Sequence, residues 1–282
     1  SSKKKIMQRL LPHKFFTFLS GLFANSEIYL VKTLLIRAFI RIYKPNMDEA
    51  IHSDIKNYKS YNEFFTRRLR EGARNIELSE DKFISPVDGE IVDYGHIEKD
   101  KLIQAKNYEY GLEELIGEDN KSKYTKGYFI TIYLAPTDYH RIHCPLKGQI
   151  ERSDHLGEYL YSVNKAAQNS IPKLYIKNER AVLQISSSKL NYCLVSVGAS
   201  IVGSIVPFWN QEINPSRKSL IRDWKDGPAE RVTKYQGDEL AYFRMGSTVI
   251  IIFEDSNKLD LDSLKENKLV KFGESLISLK SI

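Results

Sequence analysis

The chain reads as an α+β protein, a predominantly antiparallel β core preceded by an N-terminal amphipathic helical region. Three observations predict this. Apolar residues recur at helical spacing through residues 6–45. From residue 80 onward, short β-branched and aromatic runs take over. Gly and Pro punctuate those runs, with no internal repeat or low-complexity linker.

Residues 6–45 divide into two helices near Ala24-Asn25-Ser26. In the second, Arg37, Arg41 and Lys44 fall on one face, with Leu34, Leu35, Ile36, Phe39 and Ile40 over the rest. Such a helix suits a lipid interface, its long basic side chains reaching headgroups. It equally suits packing its apolar side on the core. Lys3-Lys4-Lys5 ahead of Phe15-Phe16-Thr17-Phe18 imitates a signal peptide. The periodicity that resumes in Ile28-Tyr29-Leu30-Val31 and Leu34-Leu35-Ile36 argues instead for a continuing helical surface. Lys14, Glu27, Lys32, Arg37 and Arg41 interrupt every run that could span a bilayer.

A third short helix is expected from Asn62 to Arg70, ending before Gly72. Its basic run, Arg67-Arg68-Leu69-Arg70, is either a solvated face or a headgroup contact. Strands are then expected at Ile91–Tyr94, Tyr128–Leu134, Ala181–Ile185, Tyr192–Val197 and Thr248–Phe253. The chain thus divides into a helical, membrane-associating region at 1–75 and a β-rich core at 76–282.

Charge follows the same division. The net +6 of the 282 residues is unevenly spread, with 15 Lys/Arg against 6 Asp/Glu in residues 1–75 and 27 against 30 beyond. A localized anionic partner is implied. Apolar residues between the basic ones favour an anionic membrane surface over nucleic acid. Cys144 and Cys193 are the only cysteines, so no disulfide framework exists and reduced thiols are expected.

Three segments carry chemistry. In Met245-Gly246-Ser247-Thr248-Val249, a flexible Gly-Ser step feeds an apolar strand, placing a hydroxyl beside the Gly246 carbonyl. Ser85-Pro86-Val87-Asp88-Gly89 places an aspartate in a turn before a strand. Asp138-Tyr139-His140-Arg141-Ile142-His143-Cys144-Pro145 holds two histidines three apart, with Pro145 closing a strand. Such a pair can bind zinc, but no Cys/His/Glu cluster supplies further ligands, and no metal is expected. Asp, His and Ser are also the types that orient a base, abstract a hydroxyl proton and provide a nucleophile.

With these segments in view, the chain resembles the proteobacterial-type phosphatidylserine decarboxylases, self-cleaving membrane enzymes that use a pyruvoyl group. The likeness spans nearly the whole length. It includes Tyr61-Asn62-Glu63-Phe64-Phe65 with Arg67, Arg68 and Arg70, then Leu102-Ile103-Gln104-Ala105-Lys106. It continues through Phe129–Pro136, Tyr161-Ser162-Val163-Asn164 and Val197–Ile205. Met245 departs from the family's usual Leu or Val.

The resemblance implies that Asp88 orients His143, that His143 accepts the Ser247 proton, and that Ser247 attacks the Gly246 carbonyl. Cleavage between Gly246 and Ser247 would give a large piece (1–246) and a small one (247–282), with Ser247 converted to the pyruvoyl cofactor. That ketone would form a Schiff base with phosphatidylserine and accept electrons as carbon dioxide leaves, yielding phosphatidylethanolamine. His140 is implied at the decarboxylation site, and Tyr161, Ser162 and Asn164 in substrate contact. A peripheral enzyme on the cytoplasmic face of the inner membrane is implied, with homodimerisation as a further expectation. Two alternatives stand beside it. A lipid serine hydrolase lacks its G-x-S-x-G elbow, since Gly198-Ala199-Ser200-Ile201-Val202-Gly203 has one residue too many. A non-catalytic membrane-binding module would keep one intact chain.

Overall fold

The dominant feature is a twisted antiparallel sheet whose residues point alternately into two separate apolar clusters. The computed structural model describes residues 23–104, 108–117, 123–199, 205–209, 221–224, 232–244 and 247–280. The first expected helix, Ala105-Lys106, residues 200–204 and the Met245-Gly246 step lie outside them.

The principal strands are β1 (Gly89–His96), β2 (Tyr128–Leu134), β3 (Arg141–His143), β4 (Gly148–Leu156), β5 (Arg180–Ser186), β6 (Tyr192–Gly198), β7 (Ile205–Pro207), β8 (Glu239–Phe243) and β9 (Ser247–Phe253). Strands β4, β5, β6, β9, β2 and β1 lie side by side, antiparallel, in a sheet that has nine strands among the described residues. Strands β7, β8 and β3 form a second sheet. Lys82–Ile84, Ser275–Leu279 and Leu259–Asp260 form a third. The expected α+β class holds, and each strand expected from sequence lies within an observed one.

Strand β9 shows why the sequence reads as it does. All seven of its residues are buried, because it lies inside the sheet and both faces are covered. Val249, Ile251 and Phe253 enter one cluster, together with Leu134, Ile142 and Phe243. Ile250 and Ile252 enter the other, with Phe129, Val163 and Val197. Each such side chain contributes roughly 1.5–3 kcal/mol by leaving water.

The helical region has its own apolar cluster. Helix α1 (Tyr29–Tyr43) buries Ile36 and Phe39 against Tyr58, Tyr61, Phe64 and Phe65. Lys32 is also buried, its ammonium donating to the Tyr58 carbonyl at 2.5 Å. Arg37, Arg41 and Lys44 are exposed, as are Leu30 and Leu34.

Helix α2 (Tyr61–Phe65) corrects the expected span of 62–70. Ser60 caps its start by accepting from the Glu63 amide. At its end Thr66 donates its hydroxyl to the Asn62 carbonyl. Beyond it the arginines take tertiary partners: Arg67 is buried and donates to the Thr137 carbonyl at 2.9 Å, while Arg70 reaches the Asp48 carbonyl. Leu69 bridges Ala50, so the chain runs extended there.

Candidate active site

Ser247 opens β9 between two neighbours, pairing with Leu134 on β2 and Gly198 on β6. It is fully buried, and its hydroxyl has no hydrogen-bond partner among the described residues. Alternation along the strand places its side chain on the face of Val249 and Ile251, toward the cluster shared with β3, β7 and β8. A buried hydroxyl left unsatisfied costs about 1–3 kcal/mol, which marks the position as more than packing.

Both histidines are carried on the rim of the second sheet. His143 closes β3, two residues before Pro145. Its Nδ1 lies 2.7 Å from the Gly237 carbonyl, so this nitrogen carries the proton and donates. Its Nε2 then accepts from the Tyr139 hydroxyl at 2.9 Å. Burial pushes the ring down to about 4 against the opposing pull of the Gly237 carbonyl, so imidazole stays neutral at physiological pH.

His140 sits just before β3, and its carbonyl accepts from the Phe243 amide at 2.9 Å, four residues before Ser247. Its Nδ1 donates to the Asp138 carbonyl at 2.8 Å, while the buried Nε2 has no partner among the described residues. Burial lowers it to about 3, and the nearby Arg67 adds to that. Arg67 in turn has one buried guanidinium nitrogen without a partner among the described residues. Asp138 takes the Ala135 amide at 2.7 Å and is raised to about 6, chiefly by burial.

Asp88 occupies the turn before β1, as expected. One oxygen pairs with Arg74 at 2.7 Å, and the other accepts from the Phe272 amide at 2.8 Å. Burial raises it overall, although Arg74 pulls the other way. Arg74 also reaches Glu49 at 2.7 Å. The next residue must be glycine, because a Cβ on Gly89 would lie 2.5 Å from the Tyr133 carbonyl oxygen.

The structure brings Asp88 and His143 into one neighbourhood, with the His143 amide donating to the Pro86 carbonyl. It does not join them by a side-chain hydrogen bond: Gly237 orients the ring, and Arg74 and Phe272 hold the carboxylate. Ser247 lies across β2 from β1, since Thr248 pairs with Tyr133 and Tyr133 with Glu90.

The segment Tyr161–Asn164 reaches the same end of the sheet through Asn178. That side chain donates to the carbonyls of Tyr161 and Gly198, the latter being the partner of Ser247. Asn164 is used as a helix cap, accepting the Ala167 amide, and Ser162 accepts the Asn164 amide. Tyr161 stacks on exposed Tyr159.

Sequence reasoning missed Arg74, Asp138 and Tyr139. Asp138 and Tyr139 lie within the quoted motif, but only burial and geometry reveal their contacts. Among the described residues, no cluster of His, Cys, Asp and Glu could hold a metal ion. Cys144 and Cys193 are buried free thiols.

Comparison with known proteins gives a consistent picture. The family model described as phosphatidylserine decarboxylase matches residues 61–278, and a second, described as PSD, matches residues 4–44. A phosphatidylserine decarboxylase proenzyme of Herminiimonas arsenicoxydans is 40% identical over 271 residues, covering 95% of this chain and 91% of its own. That of Azoarcus is 39% identical over 277 residues, covering 97% and 95%. The Dechloromonas aromatica proenzyme is 37% identical over 271 residues, covering 95% of each.

Proposed function

The chain belongs to the phosphatidylserine decarboxylase family and is a carboxy-lyase, and from that premise we propose that it is made as a precursor that cleaves itself at Gly246-Ser247 and then converts phosphatidylserine to phosphatidylethanolamine. The observation that carries this reading is the buried, unpartnered hydroxyl of Ser247 at the start of β9.

Cleavage uses the chain's own groups. The Ser247 oxygen bonds to the Gly246 carbonyl carbon, and the peptide C–N bond breaks. The hydroxyl proton passes to Nε2 of neutral His143, in place of the hydrogen bond that nitrogen accepts from Tyr139, and then to the departing nitrogen. Loss of the Ser247 α-proton breaks the Cβ–Oγ bond and releases Gly246 as a carboxylate. Water then replaces the nitrogen, freeing ammonia. Asp88 supports the proton transfer as a buried carboxylate beside His143, held in place by Phe272.

The pyruvoyl group supplies an electron sink that ordinary side chains lack. The residues around Ser247 fit such a group, since the hydroxyl from which it would derive is already desolvated. His140, whose open Nε2 carries no proton, orients the substrate by accepting a hydrogen bond from it, and Arg67 offers an open guanidinium nitrogen to an anionic group. Tyr161, Ser162 and Asn164 form the substrate's flank. Arg37 and Arg41 on the exposed side of α1, with Lys44 at its C-terminal cap, dock the enzyme peripherally on anionic lipid. No helix among the described residues is long and apolar enough to cross a membrane.

Denaturing electrophoresis and intact mass test the reading. Purified protein is expected as pieces 1–246 and 247–282, the second lacking a free N-terminal amine, and Ser247→Ala as one inactive chain. A cleaved and active Ser247→Ala protein would sink the mechanism.

A further inference from the structure

The tautomer of His143 is set by a backbone carbonyl, that of Gly237, to which Nδ1 donates at 2.7 Å. Whatever fixes that carbonyl therefore helps to make His143 a base. Gly237 lies in the turn Tyr235–Asp238, closed by the Asp238 amide donating to the Tyr235 carbonyl at 3.0 Å. The Asp238 carboxylate in return accepts from the Tyr235 amide at 2.8 Å. Gly237 has φ +93°, the left-handed conformation that glycine tolerates at the third position of a tight turn.

Backbone bonds join this turn to the residue after His143. The Gly237 amide donates to the Cys144 carbonyl, and the Cys144 amide to the Asp238 carbonyl, both at 2.8 Å. A single half-buried side chain, that of Gln236, adds three more anchors. Its Nε2 donates to the carbonyls of Lys82 at 2.7 Å and Pro145 at 2.9 Å. Its Oε1 accepts from the Ser79 amide at 2.9 Å.

Those anchors extend well beyond the turn. Lys82 pairs with Ser278 in the third sheet, and the Pro145 carbonyl also takes the Ile84 amide at 3.1 Å. Pro145 stands two residues after His143. Gln236 thus ties the turn that carries Gly237 to the end of the His143 segment and to the third sheet. Both kinds of polar atom on its amide are engaged, so its chemistry is to hold rather than to react.

We propose that Gln236 is a positioning residue for self-cleavage. It fixes the turn so that the Gly237 carbonyl keeps the proton on Nδ1 of His143, leaving the Nε2 lone pair to take the Ser247 proton. The proposal rests on the self-cleavage reading above. When the turn shifts, Nδ1 loses its acceptor and the proton redistributes between the two ring nitrogens. The fraction of His143 with a basic Nε2 then falls.

Two variants test this. Gln236→Met removes all three bonds at similar side-chain length. Gln236→Lys restores donation to the Lys82 and Pro145 carbonyls, and the cavity of about 880 Å³ that Gln236 borders leaves room for the longer chain. Cleavage is followed on denaturing gels by pulse–chase in cell-free translation. Gln236→Met should slow it by about tenfold or more, within the roughly 10⁴-fold that a wrong tautomer can cost. Gln236→Lys should recover most of the wild-type rate.

A purely structural role would slow cleavage without moving the ring proton. Nitrogen NMR of the histidine-labelled Ser247→Ala precursor reads that proton directly. It should lie on Nδ1 of His143, and adding Gln236→Met should give a mixture of both tautomers. Unchanged cleavage in Gln236→Met, slow cleavage with the proton still on Nδ1, or no recovery in Gln236→Lys overturns the assignment. Should Gln236→Met yield no folded precursor, Gln236→Lys decides. Near wild-type cleavage with the proton on Nδ1 supports the role, and any other result refutes it. A wild-type precursor that never cleaves would instead overturn the underlying reading, while the tautomer measurement, made in Ser247→Ala, would still stand.

Discussion

Phe272 stacks on His143 with ring centroids 3.8 Å apart and planes 17° from parallel, while its own amide donates to Asp88 at 2.8 Å. One residue thus contacts two members of the proposed triad. It also lies in the piece that cleavage would release, whereas both partners lie in the other. The contact can therefore hold the two pieces together after the chain is cut.

Phe272→Leu separates the two contacts. The backbone amide remains for Asp88, but the stacked ring is lost, a term worth about 0.5–1.5 kcal/mol beyond burial. Self-cleavage should slow while the pieces stay associated. A time course on denaturing gels and native size analysis report each effect. An unchanged cleavage rate would show that the ring only packs.

Asp88→Asn and His143→Ala should both slow self-cleavage, for different reasons. The first removes a buried charge beside the base, and the second removes the base. Because Asp88 does not touch His143 directly, Asp88→Asn should be the milder of the two. Rapid processing of His143→Ala would remove it from the mechanism.

Arg74→Met strips Asp88 and Glu49 of their shared cation. Breaking a buried pair by deleting one partner costs about 3–5 kcal/mol. The signs follow from burial, which already raises Asp88. Without Arg74 its folded pKa rises further above the unfolded value, so the protonated form is favoured in the folded protein. The deficit should then be smallest at acid pH and grow as pH rises through that folded pKa. Urea unfolding in the uncleaved Ser247→Ala background measures it; a deficit independent of pH would contradict this.

His143 gives the opposite pH signature. Its folded pKa, about 4, lies below the unfolded value near 6.5. The unfolded chain therefore binds the proton first, and stability falls as pH drops from about 6.5 to 4. Replacing His143 with Gln in the Ser247→Ala background should flatten that slope by about one proton, roughly 1.4 kcal/mol per pH unit. An unaltered slope would mean that His143 is protonated while folded.

How much of this was legible depends on how local each cause is. The strands Tyr128–Leu134 and Ser247–Phe253 were readable as apolar runs because both their faces are covered. The triad types were readable from motifs. The end of α2 was not, since Arg67 leaves the helix for a carbonyl 70 residues away. Nor was the orientation of His143, set by a carbonyl 94 residues distant. The Arg74–Asp88 pair spans only 14 residues, but its meaning comes from burial, which no local pattern encodes.

Helix α1 allows docking to be separated from chemistry. Ile36 and Phe39 fasten it to the aromatic cluster, while Arg37, Arg41 and Lys44 point to solvent. Each of these cations should contribute roughly 1 kcal/mol near an anionic surface. Replacing all three with Gln should weaken flotation with anionic vesicles, most strongly at low salt, where screening is least. Replacing the exposed Leu30 and Leu34 with Ser should instead weaken the part of binding that salt does not alter, because burial of apolar area carries no charge term. Self-cleavage should be unchanged in both variants, since both sets of side chains are exposed among the described residues. Unchanged flotation would mean that this face serves another partner, and lost cleavage would mean that the helix supports the catalytic core.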